Sequence, residues 1–212
     1  INQSWAFNVA QEPVGLRTSS VNPPHGPVGP IPLRDIPIDA LRAALAGMPF
    51  AAEAMALAES AYHDGATFGS AFRKLVEDLL RPYGLLFLDP LDPAIRQIAA
   101  PFLSRALSLS KDLVAAVQQR SRELEAKGYH AQVHLDDSAS LLFSLEGGRR
   151  TALKRTGDRF NDQTLEELQA RPELLSPNAL LRPVLQDYLL PTVAYFGGPA
   201  ELAYFAQSAP LY

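Results

Sequence analysis

Apolar positions in this chain change period several times, and each change marks an element. Over residues 38–82 the spacing is helical: Leu41, Leu45 and Met48 fit one face, and Phe72, Leu75, Leu79 and Leu80 fit another. Thr67 stands where a helix N-cap belongs, and Pro82 with Gly84 should end that helix. "YGLLFLDP" follows, a short continuous apolar run closed by Asp89-Pro90, the pattern of a parallel strand buried on both faces. Asp92 then caps a helix with Pro93 at its first position. Breaks are expected near Pro101 and near Ser108–Ser110, and Lys127-Gly128 is a C-terminal stop.

Residues 129–155 alternate instead. "AQVHL" and "SLLFSLEGGRRTALKR" carry strand formers, with a hairpin turn at Glu146-Gly147-Gly148-Arg149. The last third reads as helix ("QTLEELQA"), a turn at Pro172, and helix again from Ser176 with Pro177 in its first turn, kinked or restarted at Arg182-Pro183. In "TVAYFGGPAE", residues 192–201, a strand-forming run stops at Gly197-Gly198, and Pro199 and Glu201 open a helix. Helices and strands interleave, which defines an α/β class. The runs 85–88 and 192–196 are expected in one parallel sheet.

Composition narrows the function classes. The 212 residues are 47% hydrophobic and 20% charged, with a net charge of −4 and no cysteine. The acidic balance argues against a nucleic-acid footprint, and zero cysteines exclude disulfides and thiolate chemistry. No stretch approaches 18 apolar residues, so no membrane span and no membrane partner are expected, and the lack of cysteine fits a reducing cytoplasm without proving one. Because the chain starts at Ile1, it reads as a piece of a longer protein. Residues 1–37 are proline-rich and should form an irregular surface arm; the alternative is an active-site loop through His25 in "PPHGP", though such a histidine is more often just exposed than catalytic.

The densest polar constellation lies in residues 176–207. Arg182, Gln186 and Asp187 fall within two helical turns, and an arginine is the natural bidentate partner of a carboxylate or phosphate. Gly197 and Gly198 would let backbone approach a ligand, at a helix end with free N–H donors. Glu201 could act there or reach back as a capping-box acid, and a structural turn explains the glycines equally well. Asn178 and Asp89 join this set as polar residues near expected element ends, although Asp89 could simply cap the next turn. His134 is expected to bond a nearby carboxylate within a strand. His130 lies on the same side, but without a third ligand the pair does not describe a zinc site. His63-Asp64 ends a helix, and Tyr195, Tyr204 and Phe205 read most simply as core.

Three stretches, "YGLLFLDPLDPAIRQIAAPF", "LLRPVLQDYLLPTVAYFGGPAELAYFAQ" and "HGPVGPIPL", resemble the bacillithiol biosynthesis cysteine-adding enzyme family. The resemblance implies a cytoplasmic ligase that joins cysteine to the amine of glucosaminyl malate, in the last step of making bacillithiol. It implies a Rossmann-like core with inserted connecting segments and a C-terminal coiled coil that mediates a homodimer. The first Rossmann strands and the coiled coil would lie outside residues 1–212. The segments would then be 1–82, a connecting arm and helices; 83–128, a Rossmann-like strand and helices; 129–160, a hairpin insertion; and 161–212, the strand–Gly-Gly–helix portion. Arg182, Gln186, Asn178, Asp89, Gly197 and Gly198 would hold the anionic substrate, and Asp187 or Glu201 would orient the amine or take its proton. Class I synthetase-like relatives activate a carboxyl with a nucleotide, so a bound ATP or ADP is one expectation, and the sequence leaves the cofactor open. The alternative is a non-catalytic nucleotide- or sugar-phosphate-binding module, or a segment that stabilises a dimer.

Overall fold

The computed structural model describes residues 3–18 and 26–212. His25 lies outside the described residues. The chain divides into two compact units, Ile1–Leu88 and Asp89–Tyr212.

In the first unit, β1 (Gln3–Phe7) and β2 (Pro13–Arg17) form an antiparallel hairpin. Its turn is held by Asn8, whose side-chain oxygen accepts from the N–H groups of Ala10 and Glu12 at 3.0 and 2.9 Å. Three helices follow: α1 (Ile38–Leu45), α2 (Ala51–Ala61) and α3 (Phe68–Leu80). Thr67 caps α3 as its sequence position suggested, in a reciprocal capping box with Ser70. Gly69 has to be glycine, since a Cβ there would stand 3.0 Å from the Cα of Gly29, whose carbonyl accepts its N–H. A small core of Leu33, Ala66 and Ala71 results, with Tyr62 and Phe68 against it. The face expected to be buried on α3 is not: Phe72 and Leu79 are exposed and Ala71 is buried. Close approach at the Gly29–Gly69 contact favours the small residue.

The second unit is a five-stranded sheet covered by helices. The strands are β3 (Ala139–Glu146), β4 (Arg149–Thr156), β5 (Arg159–Phe160), β6 (Gln163–Thr164) and β7 (Leu175–Pro177), in the order β6-β5-β4-β3-β7, each pairing antiparallel. The β3–β4 turn falls at Gly147-Gly148, as the pattern required. Both residues have positive φ, 56° and 72°, which suits a two-residue hairpin of right-handed twist. The helices are α4 (Pro93–Ser108), α5 (Ser110–Ala126), α6 (Leu165–Gln169), α7 (Arg182–Leu189) and α8 (Pro199–Ser208). Leu103, Leu107 and Val117 from α4 and α5 meet Leu142, Leu153, Phe160 and Leu175 from the sheet, together with Leu180 and Leu181, in one core.

Asp92 caps α4 through the N–H groups of Ala94 and Ile95, and Gly128 ends α5 at φ 84°.

Four expectations need correction. First, α4 runs through Pro101 without a break. A proline costs an interior helix about 3 kcal/mol, and burial of Ala99, Leu103, Ala106 and Leu107 on the same helix outweighs it. Second, Ser176 and Pro177 lie in β7, not in a helix. β7 is an edge strand, where a missing N–H is tolerated.

Third, "AQVHL" is not a strand. Side chains satisfy its backbone instead: Gln207 accepts from the Val133 N–H and donates to the Val133 carbonyl, each at 3.0 Å, and Gln118 donates to the Leu135 carbonyl at 3.1 Å. Fourth, the 85–88 and 192–196 runs form no parallel sheet. Both are unpaired, and they fall in different units. Neither has a neighbouring strand among the described residues, and an isolated strand cannot satisfy its own backbone.

Gln207 is fully buried, and it also donates to the Ser121 hydroxyl at 3.0 Å. Gln207→Leu keeps the volume but strands the Val133 N–H and carbonyl. It should cost about 2–3 kcal/mol, lowering the melting temperature by roughly 5–10 °C in a chain of this size. An unchanged melting temperature in a calorimetric scan would show that the 129–137 segment is held by other contacts.

Candidate functional site

The residues around the glycine pair converge on one carboxylate, Glu201. The N–H of Gly198 donates to its Oε2 at 3.1 Å, and the hydroxyls of Tyr195 and Tyr204 donate to its Oε1 at 3.0 and 3.1 Å. Arg182, the first residue of α7, donates from Nη2 to the Tyr204 hydroxyl at 2.7 Å and stands 3.6 Å from Glu201 Oε1. Tyr204 thus relays between cation and carboxylate, and the cluster clasps α7 to α8. The Tyr195 ring also stacks edge-on against Phe205, with centroids 4.5 Å apart.

This explains the glycines. Neither has a positive φ. A Cβ on Gly197 would stand 3.1 Å from both the Glu201 Cβ and the Tyr195 ring, so a side chain there would push the network apart. Gly198 is the N-cap of α8 and has open space around it. The helix N-terminus already has a negative charge beside it, supplied by Glu201 through the capping box.

Electrostatics follow from these contacts. The Gly198 N–H, then the two tyrosine hydroxyls, hold the Glu201 carboxyl below its ordinary value of 4.5. For Arg182, burial pulls the guanidinium down, but hydrogen bonds to Tyr195 and Tyr204 outweigh it and the net shift is upward. Its side chain is 44% exposed, so part of the fork still reaches solvent. Burial and a hydrogen bond to Asp187 push the Tyr212 hydroxyl up to about 12.

The other candidates separate from this cluster by their partners. Asp187 follows Arg182 on α7 but bonds Tyr212. Gln186, half-buried on the same helix, accepts through its backbone carbonyl from the Leu190 N–H. The Asn178 side chain accepts from the N–H groups of Leu180 and Leu181, both at 3.0 Å, shaping the entry to α7. The Asp89 side chain accepts from the Leu91 N–H at 2.8 Å, the turn-capping alternative. His134 is not bonded to the acids that follow it: Asp136 engages Ser138 and Lys154, and Asp137 engages Gln118. Its ring instead meets His130 edge-on at 6.2 Å. A cavity of about 250 Å³ lies beside it, lined by Gln118, Ser121, Arg122, Glu125, His134 and Asp137 among others.

Tyr195 and Tyr204 were legible only as apolar bulk, because a tyrosine's hydroxyl partner cannot be read from spacing. Arg96 gave no signal at all. It donates to the carbonyls of Glu173 at 2.5 Å and Leu175 at 2.8 Å, pinning β7 to α4.

Helices layered on a sheet, with a polar cluster at a helix N-terminus, place the chain among mixed α/β proteins. A family model described as "Bacillithiol biosynthesis BshC, N-terminal Rossmann-like domain" matches residues 19–212. The chain belongs to the BshC family and carries its Rossmann-like domain. Among its relatives, a protein of Solibacter usitatus is 44% identical across the whole of this chain, and one of Koribacter versatilis is 43% identical over 71% of it. A third, from Staphylococcus carnosus, is 28% identical over 98%. Each is named "Putative cysteine ligase BshC", and the chain spans only 41%, 30% and 41% of their respective lengths. No helix among the described residues is long and apolar enough to cross a membrane.

The depressed Glu201 carboxyl has a pH consequence. Its folded-state value lies below the unfolded one, so the stability it contributes is present above about 4.5 and is lost as pH falls through the folded value. Glu201→Gln should therefore melt below the wild type at pH 7. That gap should persist to below pH 4.5 and close only in stronger acid, as read from melting curves between pH 7 and 3. A gap that closes at pH 5 would mean the carboxylate is not held by these donors.

Proposed function

We propose that this chain supplies part of a carbon–nitrogen ligase, which joins cysteine to the amine of glucosaminyl malate in the last step of bacillithiol biosynthesis. The observation that carries the reading is the Arg182–Tyr204–Glu201–Tyr195 cluster at the glycine turn of a chain that belongs to this family. In the reaction, the amine nitrogen attacks the activated carboxyl carbon of cysteine. The C–N bond forms, the activating group leaves with the electron pair of its C–O bond, and the nitrogen gives up a proton.

Arg182, with part of its guanidinium open to solvent, would meet a substrate carboxylate, with Asn178, Gln186 and the glycine turn beside it. Glu201 is a weak base, since its donors favour the ionised form, and suits holding the amine in place. Asp187, exposed at the end of α7, would then receive the proton. Asp89, held in its own turn, would contribute only at the margin. A bound nucleotide (ATP or ADP), a homodimeric cytoplasmic parent, and inactivity of residues 1–212 alone complete the proposal.

The competing reading is structural: with the Gly198 N–H spent on Glu201, Arg182 could be a strut between two helices. Arg182→Lys in a polypeptide of the relatives' full length separates the two. A ligand contact should lose about 1.5–3 kcal/mol of binding, roughly a 10- to 100-fold rise in KM for glucosaminyl malate, with little change in melting temperature. A lower melting temperature with unchanged KM makes Arg182 a strut. Deleting the gene and profiling cell thiols by mass spectrometry tests the activity itself: bacillithiol should disappear and glucosaminyl malate accumulate. Detectable cysteine addition by the purified 212-residue chain would overturn the proposed inactivity of the part.

A further inference from the structure

We infer that the cavity between α5 and the segment 133–137 binds a small ligand carrying both an ammonium and a carboxylate, of the chemical class of a free α-amino acid. The cavity holds about 250 Å³. Gln118, Ser121, Arg122 and Glu125 line it from α5, recurring at helical spacing, and His134 and Asp137 line it from the irregular segment opposite. It shares no residue with the Arg182–Glu201 cluster.

Its walls are fixed by the protein's own bonds. The Gln118 amide nitrogen donates to the Leu135 carbonyl at 3.1 Å and to Asp137 Oδ1 at 3.0 Å. The Ser121 hydroxyl donates to the Val117 carbonyl at 2.9 Å and accepts from Gln207, whose side chain also holds Val133. The Arg155 guanidinium donates to the Asp137 carbonyl at 3.0 Å. A ligand meeting preorganised walls avoids the entropy loss of ordering them.

What the walls leave open is charge of both signs. Arg120 and Glu123, three apart on α5, form an ion pair at 3.4 Å. Arg122 and Glu125 have the same spacing on the same helix but form none, and among the described residues neither has another ion-pair partner. Arg122 donates instead to the neutral side chain of Gln119, at 2.8 Å. A guanidinium without an acid partner can meet a ligand carboxylate with two parallel bonds. Glu125, the second Asp137 oxygen and the Gln118 side-chain oxygen are acceptors, and a primary ammonium brings three donors to them. His134 can accept from the ammonium or donate to the carboxylate.

The same lining disfavours other ligands. Two acids against one arginine repel a purely anionic group such as phosphate. Among the described residues no Trp, Tyr or Phe lines the cavity, so a quaternary ammonium finds no aromatic face. The volume lies below the roughly 300–1,000 Å³ of drug-sized pockets, which sets the ligand at about the size of one amino acid.

Ligand-observed NMR titration of this chain with L-serine, N-acetylserine and ethanolamine tests the inference. Serine should bind saturably. N-acetylserine lacks the ammonium and ethanolamine the carboxylate, and each should bind at least about 10-fold more weakly, the loss of one charged hydrogen bond. Arg122 and Glu125 are exposed, so Arg122→Gln and Glu125→Gln should leave the melting temperature unchanged while each weakens serine binding at least about 10-fold. No saturable serine binding up to about 10 mM, well above a weak millimolar Kd, would overturn the inference. So would equal binding of the three compounds, or serine binding that survives both substitutions. Serine binding that falls in Arg182→Lys instead would move the ligand to the other cluster and overturn it too. Each readout is of binding, not catalysis, so the result stands apart from the ligase proposal.

Discussion

The second unit depends on one constraint: a small sheet must hide its apolar face, and two long helices hide it. Leu142, Leu153 and Leu175 offer that face, and Leu103, Leu107 and Val117 cover it, all at 2% exposure or less. At about 25 cal/mol per Å² of apolar area, each such side chain contributes roughly 1.5–3 kcal/mol. That burial also tolerates local misfits, such as Pro101 inside α4 and the left-handed Leu141 at φ 61° in the bulge of β3.

Around that core, single polar side chains do what additional strands would otherwise do. Arg96 binds two carbonyls at β7, Gln207 binds both backbone groups of Val133, and Arg150 donates to the Pro177 carbonyl while lying 3.6 Å over the Phe143 ring. Burial lowers the Arg150 guanidinium. These clasps fix the entry to α7 and the seat of α8, the two helices that bring Arg182 and Glu201 together. The candidate site is therefore a consequence of how α8 docks. Its carboxylate is held at the same helix N-terminus that an anionic ligand would otherwise use.

Much of this was legible locally, because local physics decides it. The Thr67 and Asp92 caps, the Gly128 stop and the Gly147-Gly148 turn each need only a few neighbouring residues. Arg182, Asp187 and Glu201 stood out for a similar reason, as charged groups beside a glycine turn. What spacing could not supply was partners. Whether Glu201 faced a ligand or its own helix end depended on Tyr195 and Tyr204, which read as core because a hydroxyl's destination lies in the third dimension.

The apolar runs mark the same divide from the other side. Their two-sided apolar composition is the pattern of an interior strand, yet among the described residues neither run pairs with a strand. Pairing requires a second strand at about 4.8 Å, and no length of correct composition supplies one. So the sequence by itself determined the caps, the turns and the family. Only the tertiary structure decided that "AQVHL" is held by glutamines, that Pro177 sits on a sheet edge, and that Arg182 meets Glu201 through a tyrosine. Those outcomes rest on contacts between residues tens of positions apart, whose geometry exists only once the core has closed.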